Sequence, residues 1–330
     1  MESYTWGHIH KYPKQTKRLL GIDYQQLEQL IALGKLLHQE NKEKIEKTKI
    51  RINQPGSGTY SKLSEEEQIV LMLVYLRHNI SFQILGLLFQ VSESTAHNIF
   101  SYWQKLFEGE LPSSLLEQVK KFQEEEEIIQ EQLTDYELIV DSSEQPIERP
   151  SDCQEQKKYY SGKQQRHTLK NQFIVLPKAQ DIIDVVMGKP GPMSDIKICR
   201  QTLSKFDVQQ TFSGDKAYIG ETQIKTPYKK PKKGELTESQ KKENKALSSN
   251  RIFVEHLIRV VKVFKVVQER FRLQKSRYKS VLLTVCGLVR LRIGSLILRI
   301  IESEKSGEVI DVKMSHSFIS KLDFVSLNPD

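Results

Sequence analysis

Apolar residues in the first third of the chain recur every three or four positions, which is the period of a helix that buries one face. From residue 136 onward the pattern changes to short apolar runs and to alternation, both typical of strands. The chain is therefore predicted to begin as an all-helical region and to continue as an α/β region. The predicted helices cover residues 20–50, Ile69 to about His78, and segments starting near Ser81 and near Ser94.

The three helices after residue 60 are short, and the break between the last two, at residues 89–92, is only a few residues long. Short helices with a tight second turn are what a helix-turn-helix needs, because its third helix must be presented rigidly to the major groove. An ordinary helical bundle fits the same pattern, and Gln90 stands where glycine commonly makes this turn, so both interpretations stay open at this point. The exposed start of the third helix carries small or hydrogen-bonding side chains suited to base edges and phosphates: Ser92, Ser94, Thr95, His97 and Asn98.

Two further helical segments are rich in charged residues. Residues 20–50 are interpreted as a solvated helical arm, with a dimer contact as the alternative, and residues 53–58 as a loop that ends it. Residues 116–132 predict an acidic, solvated helix that bridges the helical region and the α/β region.

The α/β region starts with three successive predicted strands, at residues 136–141, 166–176 and 181–187. A helix capped by Ser194 or Asp195 and a fourth strand at residues 208–214 follow, and long helices complete the chain. This order predicts a sheet with helices packed on it.

Net charge differs between the two regions. Residues 1–135 carry 15 basic and 19 acidic side chains, whereas residues 136–330 carry 35 basic and 23 acidic ones, within a total formal charge of +8. The excess in the second region favours a polyanionic partner, with nucleic acid as the first candidate. A basic surface without a partner is the alternative.

Three cysteines, Cys153, Cys199 and Cys286, lie far apart without a C-x-x-C pair, which excludes a disulfide framework and argues against a zinc site. The N-terminus has no apolar signal core. The longest apolar stretch, residues 281–301, contains three arginines, so it predicts a helix over a core and not a membrane span. Together these features predict a cytoplasmic protein with no membrane contact.

Two aspartates, Asp141 and Asp215, end separate predicted strands. Strand ends deliver catalytic groups from a rigid backbone, and two close carboxylates repel each other unless a cation neutralises them. Mg²⁺ takes oxygen ligands, and a third carboxylate would complete a two-metal site. Acidic residues also end strands without any such role.

A third carboxylate, Glu255, lies in a helix predicted over residues 250–264. Arg251, Glu255 and Lys262 fall within about 40° of one another on one face of this helix. A carboxylate flanked by two cations could bind a metal while its neighbours hold phosphate. A surface ion pair of Arg251 with Glu255, worth about 0.2–0.5 kcal/mol, explains the same spacing.

Several motifs occur together and in a fixed order. They follow the helix-turn-helix at 62–106 and are IVDSSEQPIERP, KKYYSGKQQRHTLK, GDKAY, TPYKKPKKGELTESQKKEN and SSNRIFVEHLIRVVKVF. The set resembles the DDE-superfamily transposases of bacterial insertion sequences, in the group around insertion sequence five, over about residues 62–300. The resemblance implies a ribonuclease-H-like fold, a mixed sheet with packed helices, behind an all-helical helix-turn-helix domain.

The same resemblance implies roles for individual residues. Asp141, Asp215 and Glu255 match the family's catalytic and metal-binding triad, and Arg251 and Lys262 match contacts to transposon-end DNA. Ser248 stands where the family's signature has a tyrosine, which puts the tyrosine's contribution in doubt.

The implied organisation is an N-terminal helical arm and loop (1–60), a helix-turn-helix domain (61–113), an acidic linker helix (114–135), a catalytic domain (136–302) and a tail (303–330). The implied function is cutting DNA at terminal inverted repeats and joining the 3′-OH ends to target DNA, with two Mg²⁺ ions per site and Mn²⁺ as a substitute. Pairing two ends implies a homodimer or larger assembly at the bacterial nucleoid. A catalytically silent DNA-binding descendant and another ribonuclease-H-like nuclease are the alternatives.

Overall fold

The computed structural model describes residues 4–48, 61–122, 126–232, 234–296 and 298. The predicted loop at 53–58 and the predicted tail at 303–330 lie outside these residues. Within the described ranges, no helix is both long enough and apolar enough to cross a membrane.

Three helices precede the helix-turn-helix and pack on it. They are α1 (Tyr4–Lys11), α2 (Thr16–Leu20) and α3 (Tyr24–Thr48), and they are followed by α4 (Glu65–His78), α5 (Phe82–Phe89) and α6 (Glu93–Glu108). The apolar stripe of α3 is buried from Leu27 to Leu37. A Cβ atom on Gly34 would lie 2.6 Å from Ile69 and 3.0 Å from Phe107, so glycine is needed for this close approach. The solvated-arm interpretation is therefore wrong for this part of α3, and only residues 39–48 are mostly exposed.

The short helices α4, α5 and α6 begin at serines that cap them. The Ser64 hydroxyl accepts from the Glu67 N–H at 3.3 Å while the Glu67 carboxylate accepts from the Ser64 N–H at 2.8 Å, and the two contacts form a capping box. Ser81 and Ser92 cap α5 and α6 with the hydroxyl alone, which accepts from the Ile84 N–H and the Thr95 N–H. Gln90 ends α5 with a φ of 56°, a left-handed conformation in which glycine is more common. The predicted tight turn is present and is made by this glutamine.

A mixed sheet follows the helical region, with six strands among the described residues. The strands are β1 (Leu138–Pro146), β2 (Tyr160–Ser161), β3 (Arg166–Val175), β4 (Ile182–Pro190), β5 (Phe212–Ser213) and β6 (Ile224–Lys225). β3 lies between β1 and β4 and runs antiparallel to both. On the other side of β1, β5 and β6 continue the sheet in parallel. This is the strand order of a ribonuclease-H-like sheet, and the predicted fold class is confirmed.

Helices pack around this sheet. They are α7 (Leu115–Phe122), α8 (Glu126–Thr134), α9 (Cys153–Tyr159), α10 (Asp195–Leu203), α11 (Glu238–Val261) and α12 (Tyr278–Ile293). Four apolar residues of α11 are buried, and most of α12 is buried. The apolar stretch that begins at Val281 is thus a core helix, as predicted.

Arg290 of α12 is fully buried and joins the helical region to the sheet. Its guanidinium donates to both carboxylate oxygens of Asp181, at 2.7 and 2.8 Å, and to the carbonyl oxygens of Pro112 and Ser114, at 3.1 and 3.0 Å. Pro112 and Ser114 lie between α6 and α7, whereas Asp181 immediately precedes β4. The paired charge therefore holds the segment after the helix-turn-helix against the sheet.

The first strand is longer than predicted. β1 continues from Asp141 to Pro146 because these residues pair with β3. Gln145 is buried there, and its side chain donates to the carbonyl oxygens of Val266 and Glu269 at 2.7 and 2.9 Å. The prediction that Asp141 ends a strand is therefore wrong, since it lies inside β1.

The strand before Asp215 is shorter than predicted. β5 covers two of the seven residues predicted at 208–214. Asp207 accepts from the Gln209 N–H at 2.7 Å, which makes a turn, and Val208 is 85% exposed. Asp215 follows this short strand after one intervening glycine, close to the predicted position.

Candidate active site

Asp141 lies on β1, a strand that has β3 on one side and β5 on the other. It is opposite Phe173 of β3, and its carboxylate accepts from the Ser142 N–H at 2.8 Å. On the other side, β5 pairs with Leu138 and Ile139 and ends before reaching Asp141. The end of β5 therefore leaves Asp141 unpaired on that side.

Asp215 lies at the same edge of the sheet. Ile139 pairs with Ser213, so Asp141 and Asp215 are each two residues beyond a matched pair of parallel strands. Asp215 caps a short 3₁₀ helix (Lys216–Tyr218), with its carboxylate accepting from the Ala217 N–H at 2.8 Å.

Close packing leaves no room for a side chain at Gly214, the residue before Asp215. A Cβ atom on Gly214 would lie 2.8 Å from the Tyr218 ring and 3.2 Å from Val140. The Tyr218 hydroxyl is 3.0 Å from the Ser142 hydroxyl, which ties the motif GDKAY to the strand that carries Asp141. The motif thus fixes where Asp215 leaves the sheet.

Glu255 comes from α11, whose buried stripe (Val254, Leu257, Ile258 and Val261) packs in the apolar core. Its side chain is 46% exposed and lies 3.8 Å from Arg251 and 4.0 Å from Arg259. Arg251 is 22% exposed, and its Nε atom is buried without a hydrogen-bond partner. The predicted ion pair of Arg251 with Glu255 is therefore present.

The electrostatics connect these side chains. Burial raises the pKa of Asp141 to about 6, the Ser142 N–H and the Arg251 charge oppose the shift, and the charges of Asp215 and Glu255 add to it. Burial also lowers the pKa of Lys262, an effect opposed by the charge of Asp141. The predicted triad, Arg251 and Lys262 thus influence one another through Asp141.

A polar pocket of about 250 Å³ lies next to Asp141. Its lining includes Ser142, Glu144, Lys170, Asp195 and Lys262. Lys170 is buried on β3, 3.8 Å from Glu144 and 3.1 Å from Asp195, and it donates to the Met193 carbonyl at 2.7 Å. Glu144 and Asp195 are carboxylates near the site that the sequence did not favour as ligands. The sequence signal that could have pointed to these two carboxylates was Lys170, a lysine within a predicted strand.

The three predicted ligands do not form a ready-made metal site. Within the described residues, no three His, Cys, Asp or Glu side chains are grouped so that they could hold a metal ion. Each carboxylate faces a partner of its own: Asp141 the Ser142 N–H, Asp215 the Ala217 N–H and Glu255 the two arginines. The donor set fits Mg²⁺, which prefers carboxylate oxygens, and mutual repulsion around Asp141 is what a cation would relieve. Glu255, being half-exposed, has room to turn.

The predicted DNA-reading residues are all exposed at the start of α6: Ser92, Ser94, Thr95, His97 and Asn98. Two of them also support the helix, since the Ser92 hydroxyl accepts from the Thr95 N–H at 3.1 Å and lies 2.8 Å from the Thr95 hydroxyl. His97 packs edge-on against Phe82, with ring centroids 4.9 Å apart. Asn98 and Ser94 are the members of this set whose side chains have no recorded structural role within the described residues.

Comparison with known families decides the relationship. Residues 140–290 match the model of a DDE superfamily endonuclease, and residues 61–113 match the helix-turn-helix of DDE superfamily endonucleases. A probable transposase for insertion sequence element IS702 from Microchaete diplosiphon is 31% identical over 229 residues, covering 67% of this chain and 78% of that protein. The chain belongs to the DDE superfamily of insertion-sequence transposases. No solved structure matches it.

Both matched segments of this transposase coincide with parts of the structure. The endonuclease match runs from β1 through α12 and contains Asp141, Asp215 and Glu255. The helix-turn-helix match contains α4, α5 and α6. The helix-turn-helix interpretation is thus confirmed over that of an ordinary helical bundle.

Proposed function

We propose that this transposase cuts DNA at the terminal inverted repeats of its element and joins the freed 3′-OH ends to target DNA. The observation that carries the proposal is the parallel pairing of β1 and β5, which brings Asp141 and Asp215 to one edge of the sheet, within the electrostatic influence of Glu255 and Arg251. Carboxylates that repel one another beside two cations suit a site for divalent metal and phosphate together.

Asp141, Asp215 and Glu255 would hold two Mg²⁺ ions, with Mn²⁺ as a substitute. When bound, such ions activate the attacking oxygen and neutralise charge on the leaving oxygen. Asp141 would hold the metal as a carboxylate, the form that its pKa of about 6 makes dominant above that pH. If Glu255 held the metal, its 3.8 Å contact with Arg251 would be given up and the guanidinium would be available to a phosphate.

Arg251 and Lys262 would position the DNA backbone at the site. Arg251 offers a planar fork of donors with an unpaired, buried Nε atom, and Lys262 caps the C-terminus of α11 beside Asp141. The exposed start of α6 would read the terminal repeat in the major groove. Bringing two ends together requires at least two copies of the chain.

A second candidate is a transposase descendant that binds DNA without cutting it. The exposed start of α6 would be enough for this role, because reading the repeat needs none of the three carboxylates. It predicts specific binding of the repeat with no metal-dependent product.

The test uses purified full-length protein and end-labelled duplex copied from the DNA that flanks the coding frame. Mg²⁺ and Mn²⁺ are expected to support cleavage at the repeat terminus, whereas Ca²⁺ is expected to support binding alone. Specific binding without cleavage in Mg²⁺ and Mn²⁺ would instead establish the second candidate. Absence of both binding and cleavage would contradict both.

A further inference from the structure

The chain between β6 and α11 turns back onto the exposed half of α11. At residue 228 the two are joined by a pair of hydrogen bonds: the Tyr228 N–H donates to the Asn244 side-chain oxygen at 2.8 Å, and the Asn244 amide donates to the Tyr228 carbonyl at 3.2 Å. The neighbouring Glu243 carboxylate raises the pKa of the Tyr228 hydroxyl. Residues 226–232 thus form a strap, fixed to the helix at Tyr228.

The position of Asn244 on α11 decides which way the strap faces. Asn244 precedes Glu255 by 11 residues of continuous helix, which is a rotation of about 20° and an axial rise of about 16 Å. Ser248 and Arg251 lie between them on the same stripe. The strap is therefore held on the side of α11 that carries Glu255.

The strap is basic and its charges are accessible. Lys229, Lys230 and Lys232 are all exposed. Lys230 lies 3.1 Å from Glu235, but that pair is exposed on both sides and so is worth little. Among the described residues, neither Lys229 nor Lys232 has a recorded ion pair with a carboxylate.

The acidic residues nearby have partners of their own. Glu235 faces Lys230, Glu238 accepts from Lys241 at 2.8 Å, and Glu243 accepts from Ser239 at 3.1 Å. Residues 226–251 hold eight lysine or arginine side chains against these three glutamates, so this part of the chain is net positive.

We infer that the strap is a second anchor for duplex DNA, in which Lys229, Lys230 and Lys232 contact backbone phosphates away from the cleavage site. This inference rests on the proposed function, since it assumes that the reacting phosphate lies at Glu255. Because Asn244 lies about 16 Å along α11 from Glu255, the phosphates contacted by the strap would be other than the reacting one. Such contacts carry no sequence information and depend on salt.

The experiment measures duplex binding by full-length Lys229→Gln/Lys230→Gln/Lys232→Gln protein between 50 and 200 mM salt, in Ca²⁺. Each phosphate contact adds about 0.9 to the slope of log K against log salt, so the variant's slope is expected to be shallower by about 2.7. Random duplex and terminal-repeat duplex should lose affinity in parallel. Asn244→Ala keeps all three lysines but frees the strap, and it is expected to weaken binding by a smaller factor.

A charge-matched control is Lys42→Gln/Lys44→Gln/Lys47→Gln on the exposed end of α3. An equal loss of duplex affinity in this control would mean that net charge alone explains the effect, and it would overturn the inference. An unchanged salt slope in the strap variant would overturn it as well. The proposed function is tested separately by cleavage. If the wild-type protein cuts its repeat and the strap variant binds normally, only the strap inference fails. If the wild-type protein binds duplex through the strap but never cuts, only the cutting proposal fails.

Discussion

Asp141 and Asp215 each lie two residues beyond a matched pair of parallel strands, in which Ile139 is opposite Ser213. Because the register is parallel, the two carboxylates leave the sheet at the same edge. Their proximity is one cause of the raised pKa of Asp141, after burial. The geometry of the candidate site therefore begins with the pairing of β1 and β5.

The raised pKa of Asp141 predicts a specific dependence of stability on pH. The folded protein keeps the Asp141 proton up to about pH 6, whereas the unfolded chain releases it near 3.8. The folded state thus binds more protons in this window, so its stability falls as pH rises from about 4 to 6. Asp141→Asn removes this penalty. The free energy of unfolding of the variant minus that of the wild type should therefore increase by up to about 3 kcal/mol over the same pH range. Urea unfolding in metal-free buffer between pH 4 and 8 measures it, and a difference that stays flat would contradict the assignment.

The buried pair of Arg290 and Asp181 predicts a large loss of stability on truncation. Arg290→Met leaves the Asp181 carboxylate buried without its cation and leaves two carbonyl oxygens without their donor. The free energy of unfolding is expected to fall by about 3–5 kcal/mol. The double variant Arg290→Met/Asp181→Leu should recover part of that loss, since no unpaired charge remains. A loss under about 1 kcal/mol in the single variant would be incompatible with this role.

The left-handed Gln90 predicts opposite effects for two substitutions. Gln90→Gly should raise the free energy of unfolding by about 0.5–1 kcal/mol, because glycine adopts a φ of 56° without steric cost. Gln90→Val should lower it by about 1 kcal/mol or more, because a β-branched side chain is poorly tolerated there. Denaturant unfolding distinguishes the two variants, and equal effects would mean that the turn relaxes.

The predicted reading helix is tested at Asn98. Asn98→Ala should cost about 1–3 kcal/mol in binding the terminal repeat and much less in binding random duplex, because base contacts specify sequence. Gln83→Ala, an exposed change on the preceding helix, is the control. His97→Ala is less informative, since His97 also packs against Phe82. Equal losses on both duplexes would place Asn98 on the phosphate backbone instead.

Much of the fold follows from local patterns. The predicted starts of α5, near Ser81, and of α6, near Ser94, lie close to the observed ones, because a serine cap acts within one turn of helix. The alternation of apolar residues likewise located β3 and β4. The second half of β1 was missed because its polar residues read as a loop. Of these residues Gln145 is buried, and its hydrogen bonds go to Val266 and Glu269, which are distant in the sequence.

Local sequence patterns predicted less of the candidate site than of the fold. Spacing alone placed Arg251, Glu255 and Lys262 on one stripe, but it left an ordinary ion pair as an equal explanation, and that pair is present. Family resemblance selected Asp141, Asp215 and Glu255 among the available carboxylates. Glu144 and Asp195 were not favoured because their closeness to Lys170 arises from the pairing of β1 with β3 and from the start of α10. No sequence period encodes such contacts.

The most direct measurement is cleavage of terminal-repeat duplex in Mg²⁺ by four full-length variants, each at a concentration that binds the same fraction of the DNA. Asp141→Asn, Asp215→Asn and Glu255→Gln should each cut slower than the wild type by roughly 10³-fold or more, because residues that act as a unit lose most activity when any one is removed. Glu238→Gln, an exposed position in the first turn of the same helix, should cut at close to the wild-type rate. Terminal-repeat binding in Ca²⁺ should stay within a few-fold for all four. Near-wild-type cleavage by any of the three triad variants would contradict the assignment of Asp141, Asp215 and Glu255 as one catalytic unit.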